Sequence, residues 1–214
     1  MKRMIFTNRE LVVTVFLALA CVLLNMFFNA QDTLQKILSL AGFFILAPAL
    51  YVKLILKRNW SDFGFRKGNW KKGVGGIIIS LIVSLLIFYI LVNYFGFLEK
   101  HGSIGRLKGN FMSFVYYEFV LILPILLAFG FFFQGLILFV AESRLWRLSA
   151  LVQFLLFLLF IWISGVFNWD SALYIISAFF SGIIVYQSRS LLYGIAYSWI
   201  FIIIADAIAI KLIK

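Results

Sequence analysis

The residues that could do chemistry in this 214-residue chain are few, and they stand inside long apolar stretches. Glu118, Gln134, Gln153, Ser164, Tyr197, Ser198 and Asp206 are polar side chains at positions flanked mainly by Leu, Ile, Val and Phe. A general acid–base pair needs two titratable groups within hydrogen-bond reach of one reacting atom. Only Glu118 and Asp206 offer that at such depth. A zinc site needs three or four His, Cys or carboxylate ligands, which these stretches do not supply. A serine nucleophile needs an adjacent base, and neither Ser164 nor Ser198 has a histidine nearby in sequence. The sole histidine, His101, lies in a loop beside Lys100, where it reads as exposed. Cys21 is alone, so there is no disulfide framework and no thiolate cluster. No metal and no cofactor is expected.

The elements that must position these groups are membrane-spanning helices. The chain is 64% hydrophobic and 19% aromatic with a mean hydropathy of +1.08, well beyond the roughly 45–50% apolar content of globular domains. Runs of about 18 or more apolar residues read as bilayer spans. They fall at 11–28, 37–56, 74–95, 111–140, 148–167, 171–187 and 191–210. The predicted fold class is all-α: a polytopic transmembrane helical bundle of about seven spans in a single membrane domain, 1–214. The fourth run is longer than a bilayer needs. Pro124 removes a backbone donor within it, so the run is predicted to be a short interfacial helix, 111–121, bent into a true span, 124–140. The first run follows Lys2, Arg3 and Arg9 but is too long for a signal peptide and lacks a small-residue cleavage motif, so it is expected to be retained.

The net charge of +11 sits mostly in the loops. With the N-terminus inside, Lys and Arg favour the inner loops by about two to one, which predicts a multi-pass protein of the inner (plasma) membrane with a cytoplasmic N-terminus. The basic loop 57–72 dominates that bias and suits anionic lipid headgroups. Nucleic acid is not an expected partner, because these charges lack a folded basic surface. Aromatic residues near the span ends, such as Trp60, Trp70 and Trp169, form the usual interfacial belt. Gly130, Gly135, Gly182 and Gly194 suit close helix packing.

The order of short motifs carries more. Phe63-Gly-Phe-Arg66 and Trp70-Lys-Lys-Gly73 precede a span. Glu118-Phe-Val-Leu-Ile-Leu-Pro124 and Phe129-Gly-Phe-Phe-Phe-Gln-Gly-Leu-Ile-Leu138 follow, then Phe160-Ile-Trp-Ile-Ser164 and Phe179-Phe-Ser-Gly-Ile-Ile-Val-Tyr186. Last come Ser190-Leu-Leu-Tyr-Gly-Ile-Ala-Tyr-Ser-Trp199 and Asp206. Over 111–209, with an echo at 63–73, this resembles the CPBP family of intramembrane proteins, which includes CAAX prenyl proteases and bacteriocin-processing or immunity (Abi) proteins. The family motif Glu-Glu-x-x-x-Arg-Gly is matched by Phe129, Gly130 and Gln134, followed by the expected Gly135. Phe-x-x-x-His is matched by Phe160 to Ser164, and His-x-x-x-Asn/Asp by Ser198 to Ile202.

The resemblance implies a scaffold whose water-activating glutamate, arginine and two histidines are gone. A lost general base costs about 10² to 10⁴ in rate, and here the whole constellation is replaced. The implied protein is a pseudo-enzyme: it binds membrane lipids and a transmembrane segment, a lipidated peptide or a bacteriocin. Its candidate polar cavity comprises Gln134, Ser164 and Ser198 beside Gly130, with Glu118 and Asp206 at the edges. Two alternatives stand beside it: an active intramembrane CAAX-type endopeptidase built on Glu118 and Asp206, and a small membrane transporter.

Overall fold

The computed structural model describes residues 6–28, 30–100 and 111–212; His101 lies outside them. The chain is an all-α polytopic bundle with no strand among the described residues. Among the described residues six helices are long and apolar enough to cross a membrane: α1 (Asn8–Phe27), α2 (Thr33–Ile55), α3 (Trp70–Phe95), α4 (Phe111–Leu145), α6 (Trp169–Ser188) and α7 (Leu191–Leu212). The seventh apolar helix, α5 (Ser149–Ile163), has 15 residues.

Local chemistry sets the helix ends. Thr7 and Glu10 form a reciprocal capping box at the start of α1. Asp32 accepts from the Gln35 amide at the start of α2, and Asn69 accepts from the Lys72 amide at the start of α3. The α5 helix ends at Ser164-Gly165, where Gly165 has φ +69°, a left-handed conformation glycine adopts without strain.

Both prolines lie inside continuous helices, so the segment expected as an interfacial helix, 111–121, and the span that follows it form one helix, Phe111–Leu145. Pro124 sits in the first turn of an α-helical stretch that follows a π-helical one, Tyr117–Ile122, and α4 runs unbroken from Phe111 to Leu145. Pro48 is likewise flanked by π-helical Gly42–Leu46 and Tyr51–Ile55. A proline cannot donate to the residue four back, and a wider turn beside it changes which carbonyls need a donor.

The core forms around α6, which packs on α3, α5 and α7, while the second half of α4 packs on α5 and α7. The α1 helix is peripheral, with much of its apolar surface exposed (Phe16, Leu19, Phe27), as a lipid-facing helix would have.

The basic segments meet at one end of the bundle. Arg58 bonds Glu10, Arg144 bonds Asn8, and Arg189 pairs with Glu142. The Arg66 Nε donates to the Arg189 carbonyl at 3.0 Å, and the Leu191 amide donates to the Gly64 carbonyl at 2.9 Å. Phe63 is buried there, and Gly64, at φ +90°, leaves no room for a Cβ beside Phe139. Burial, then the neighbouring Arg189 charge, lowers the Arg66 pKa. Phe97 packs edge-on against Trp169 (6.2 Å between ring centroids), joining the segment after α3 to the start of α6.

Candidate functional site

The widest turns of α4 carry the motif that matters most. Gly130–Ile137 is π-helical, and seven of its eight residues are buried. The turn presents Gln134 to α6, where its Nε2 donates to the Ser181 Oγ at 2.6 Å. Close approach of the backbones makes this possible. A Cβ on Gly194 would sit 2.8 Å from the Gln134 Oε1, and one on Gly130 would sit 2.8 Å from the Ile195 Cγ1.

Gly130, Gln134 and Ser198 line one cavity, together with Gln153 of α5 and Ser177 of α6. The cavity volume is about 10 Å³, room for about one water. Aromatic rings account for the closure. Phe133 packs edge-on against Phe157 at 5.2 Å, and Phe129 packs edge-on against the same ring at 5.4 Å. Gln153 is fully buried, and neither amide atom has a hydrogen-bond partner.

Ser164 does not join this cavity. It caps the end of α5, half-buried, and donates to the Ile161 carbonyl at 3.1 Å. The polar residue α5 contributes is Gln153, three helical turns earlier. Ile202 does not join it either and instead lines a second cavity. The sequence pattern by itself gives Gln153, Ser177 and Ser181 no place in the site. The i, i+4 spacing of the two serines, which puts two hydroxyls on one helix face, is the available signal.

The second cavity is larger, about 180 Å³, and lies between α4, α6 and α7. Tyr117, Asp170, Leu173, Tyr174, Ile202 and Asp206 line it. Glu118 and Asp206 are 1% and 2% exposed, and they lie within electrostatic reach of each other. Tyr117 and Asp170 are near enough to feel both or one of these charges. The two carboxyl groups, taken from sequence as edges of one polar cavity, therefore form a cluster of their own. Tyr174 borders both cavities.

The first cavity can hold a small neutral hydrogen-bonding guest and contains no group able to take a proton. The second holds acidic oxygens, phenols and apolar wall in one space. Among the described residues no group of three His, Cys, Asp or Glu is arranged to hold a metal ion. Compared with known proteins, the chain matches no family model, no curated protein and no solved structure.

Proposed function

We propose that this chain is a non-catalytic, CPBP-like protein of the inner (plasma) membrane, N-terminus inside, that works by binding a membrane-embedded partner: a transmembrane segment, a lipidated peptide or a bacteriocin. One arrangement carries the reading. Gly130, Gln134 and Ser198, three positions where the resemblance calls for ionisable groups, converge with Gln153 on one point of the bundle, and all four are neutral. Buried ionisable groups are tolerable only as a satisfied network, so neutral substitutes lower the cost of burial once the network is lost. With space for about one water, that point has no room for a peptide, and binding belongs elsewhere on the bundle. An open groove of about 360 Å³ along Met112, Tyr116 and Leu121 is one such surface.

The test is incubation of the purified protein with prenylated and acylated peptides in lipid nanodiscs. No cleavage is expected. In cells, a photocrosslinker at Met112 or Tyr116 is expected to capture a lipidated or membrane-spanning peptide. Cleavage, or failure to capture either class, sinks the corresponding half of the reading.

The proximity of Glu118 and Asp206 favours a second reading, an endopeptidase whose general acid and base are this carboxyl pair. Peptide cleavage abolished by Glu118→Gln or by Asp206→Asn would establish it in place of the first. The transporter alternative has no such support, since the helices carrying Pro48 and Pro124 run unbroken through both and transport sites favour discontinuous helices.

A further inference from the structure

A buried amide costs free energy unless its donors and acceptor are paired. Gln153 of α5 is fully buried, and neither its Nε2 nor its Oε1 has a hydrogen-bond partner among the described residues. Gln134 of α4 is half satisfied: its Nε2 donates to the Ser181 Oγ, while its Oε1 has no partner. Both side chains line the small closed cavity, with Ser177 of α6 and Ser198 of α7. Each of four helices therefore brings one neutral polar side chain to the same point.

We propose that this cavity is a binding site for one water molecule, held within the bundle as a bridge between Gln153 and Gln134. Size, charge and donor count lead there separately. A volume of about 10 Å³ suits one water and nothing with a second heavy atom. The polar groups are amides and hydroxyls, so the guest is neutral. A water that accepts from the Gln153 Nε2 and donates to the Gln134 Oε1 satisfies an orphaned atom on each side. Its second hydrogen has an acceptor in Ser177, whose Oγ donates to the Tyr174 carbonyl at 2.9 Å and keeps its lone pairs. That makes three hydrogen bonds, the usual number for a buried water.

The surroundings hold both amides in place. A Cβ on Gly182 would collide with the Gln153 Oε1, and one on Gly194 would sit 2.8 Å from the Gln134 Oε1. Phe129, Phe133 and Phe157 supply the apolar wall, which offers the water no competing partner. The bridge links α5 to α4, and the Gln134–Ser181 bond carries the link on to α6. This deepens the reading of the closed cavity, rests on its geometry, and is independent of the family resemblance.

The test uses the full isotope-labelled chain in lipid nanodiscs and reads magnetisation transfer from water to the Gln153 side-chain amide by NMR. The resonance is assigned by its loss in Gln153→Leu, and the rotating-frame sign separates dipolar transfer from proton exchange. A dipolar cross-peak from a long-lived water is expected at Gln153, well above that at the exposed Gln187. No cross-peak, or one no stronger than at Gln187, overturns the proposal. Ser177→Val, which removes an acceptor and fills the space, is expected to abolish the cross-peak while the Gln153 resonance remains; an undiminished cross-peak places the water elsewhere and overturns the site. Should that variant fail to fold, the wild-type measurement still decides, together with a double-mutant cycle. Gln134→Leu and Gln153→Leu each break the same bridge. The double variant is therefore expected to unfold at least about ten-fold less readily than the product of the two single effects on the unfolding constant. Independent sites multiply to within about two-fold, and that outcome overturns the bridge. A failure here leaves peptide cleavage and crosslinking to judge the inert, partner-binding reading on their own results.

Discussion

The two polar clusters share three helices, α4, α6 and α7, and one bordering residue, Tyr174, yet they are built in opposite ways. Around Gln134 the groups are neutral, the glycines bring backbones together, and phenylalanines close the space. Around Asp206 the groups are acidic and the space remains open. Gln134 follows Glu118 by 16 residues on α4, about 24 Å at 1.5 Å per residue, so one helix serves both. The difference shows what burial demands of each group type. An amide satisfied by one hydroxyl can be packed over, since its residual desolvation cost is modest. A carboxylate cannot, and a cavity beside it leaves room for water, a proton or a guest.

Removing a closing ring is the strongest way to break this contrast. Phe133 is fully buried against Phe44, Phe129, Phe157 and Phe160. Phe133→Ala is expected to cost about 3–5 kcal/mol, the range for a large aromatic truncated to alanine, read as loss of unfolding free energy in detergent. A cost below about 1 kcal/mol would mean that the ring does not fill the site, and the closed character of that cavity would go with it.

Gln134→Leu tests the polar half of the same cluster at smaller amplitude. The substitution removes the donor to Ser181 and is expected to cost about 1–3 kcal/mol, the penalty for leaving a buried group unsatisfied. An unchanged stability would indicate that Ser181 finds another acceptor or donor, and that the hydrogen bond is incidental. In the open cluster the sign should reverse. Glu118→Gln removes one of two neighbouring buried carboxyl groups, whose like charges oppose each other, so stability is expected to hold or rise by up to about 1 kcal/mol. A marked loss would show that the carboxylate is held by a charge partner and would erase the distinction between the clusters.

The apolar runs made the helices legible, because bilayer-length hydrophobicity is a strong signal, and the basic segments that charge placed on one side do meet at one end, through Glu10, Glu142 and Arg189. Three things were not legible. Pro124 marks a junction between two segments in sequence, but a π-helical stretch precedes it and one helix runs through both, which only backbone geometry reveals. The meeting of Glu118 with Asp206 depends on how α4 and α7 pack, and no spacing within one helix encodes it. The position contributed by α5 differs from the one the motif spacing predicts, for a local reason. A Phe-x-x-x-Ser pattern fixes a register but not the helix end, and α5 stops at Ile163, which leaves Ser164 about 16 Å along the axis from Gln153.

That difference sets up the smallest expected effect and the finest test of where the closed cluster lies. Ser164 donates only to the carbonyl three residues back, at a half-buried helix end where water can replace it. Ser164→Ala should therefore change stability by no more than about 0.5 kcal/mol, as substitutions away from the core usually do. Gln153→Ala, which empties a fully buried position against Gly182, should change it by more. The order matters more than either value. If Ser164→Ala proves the costlier of the two in thermal unfolding, the α5 contribution belongs at the end of the helix where the motif spacing put it, and the cavity around Gln134 loses its fourth wall. If Gln153→Ala does, the closed site is a four-helix contact whose polar groups serve cohesion, and the chemistry still open in this chain rests with the acids.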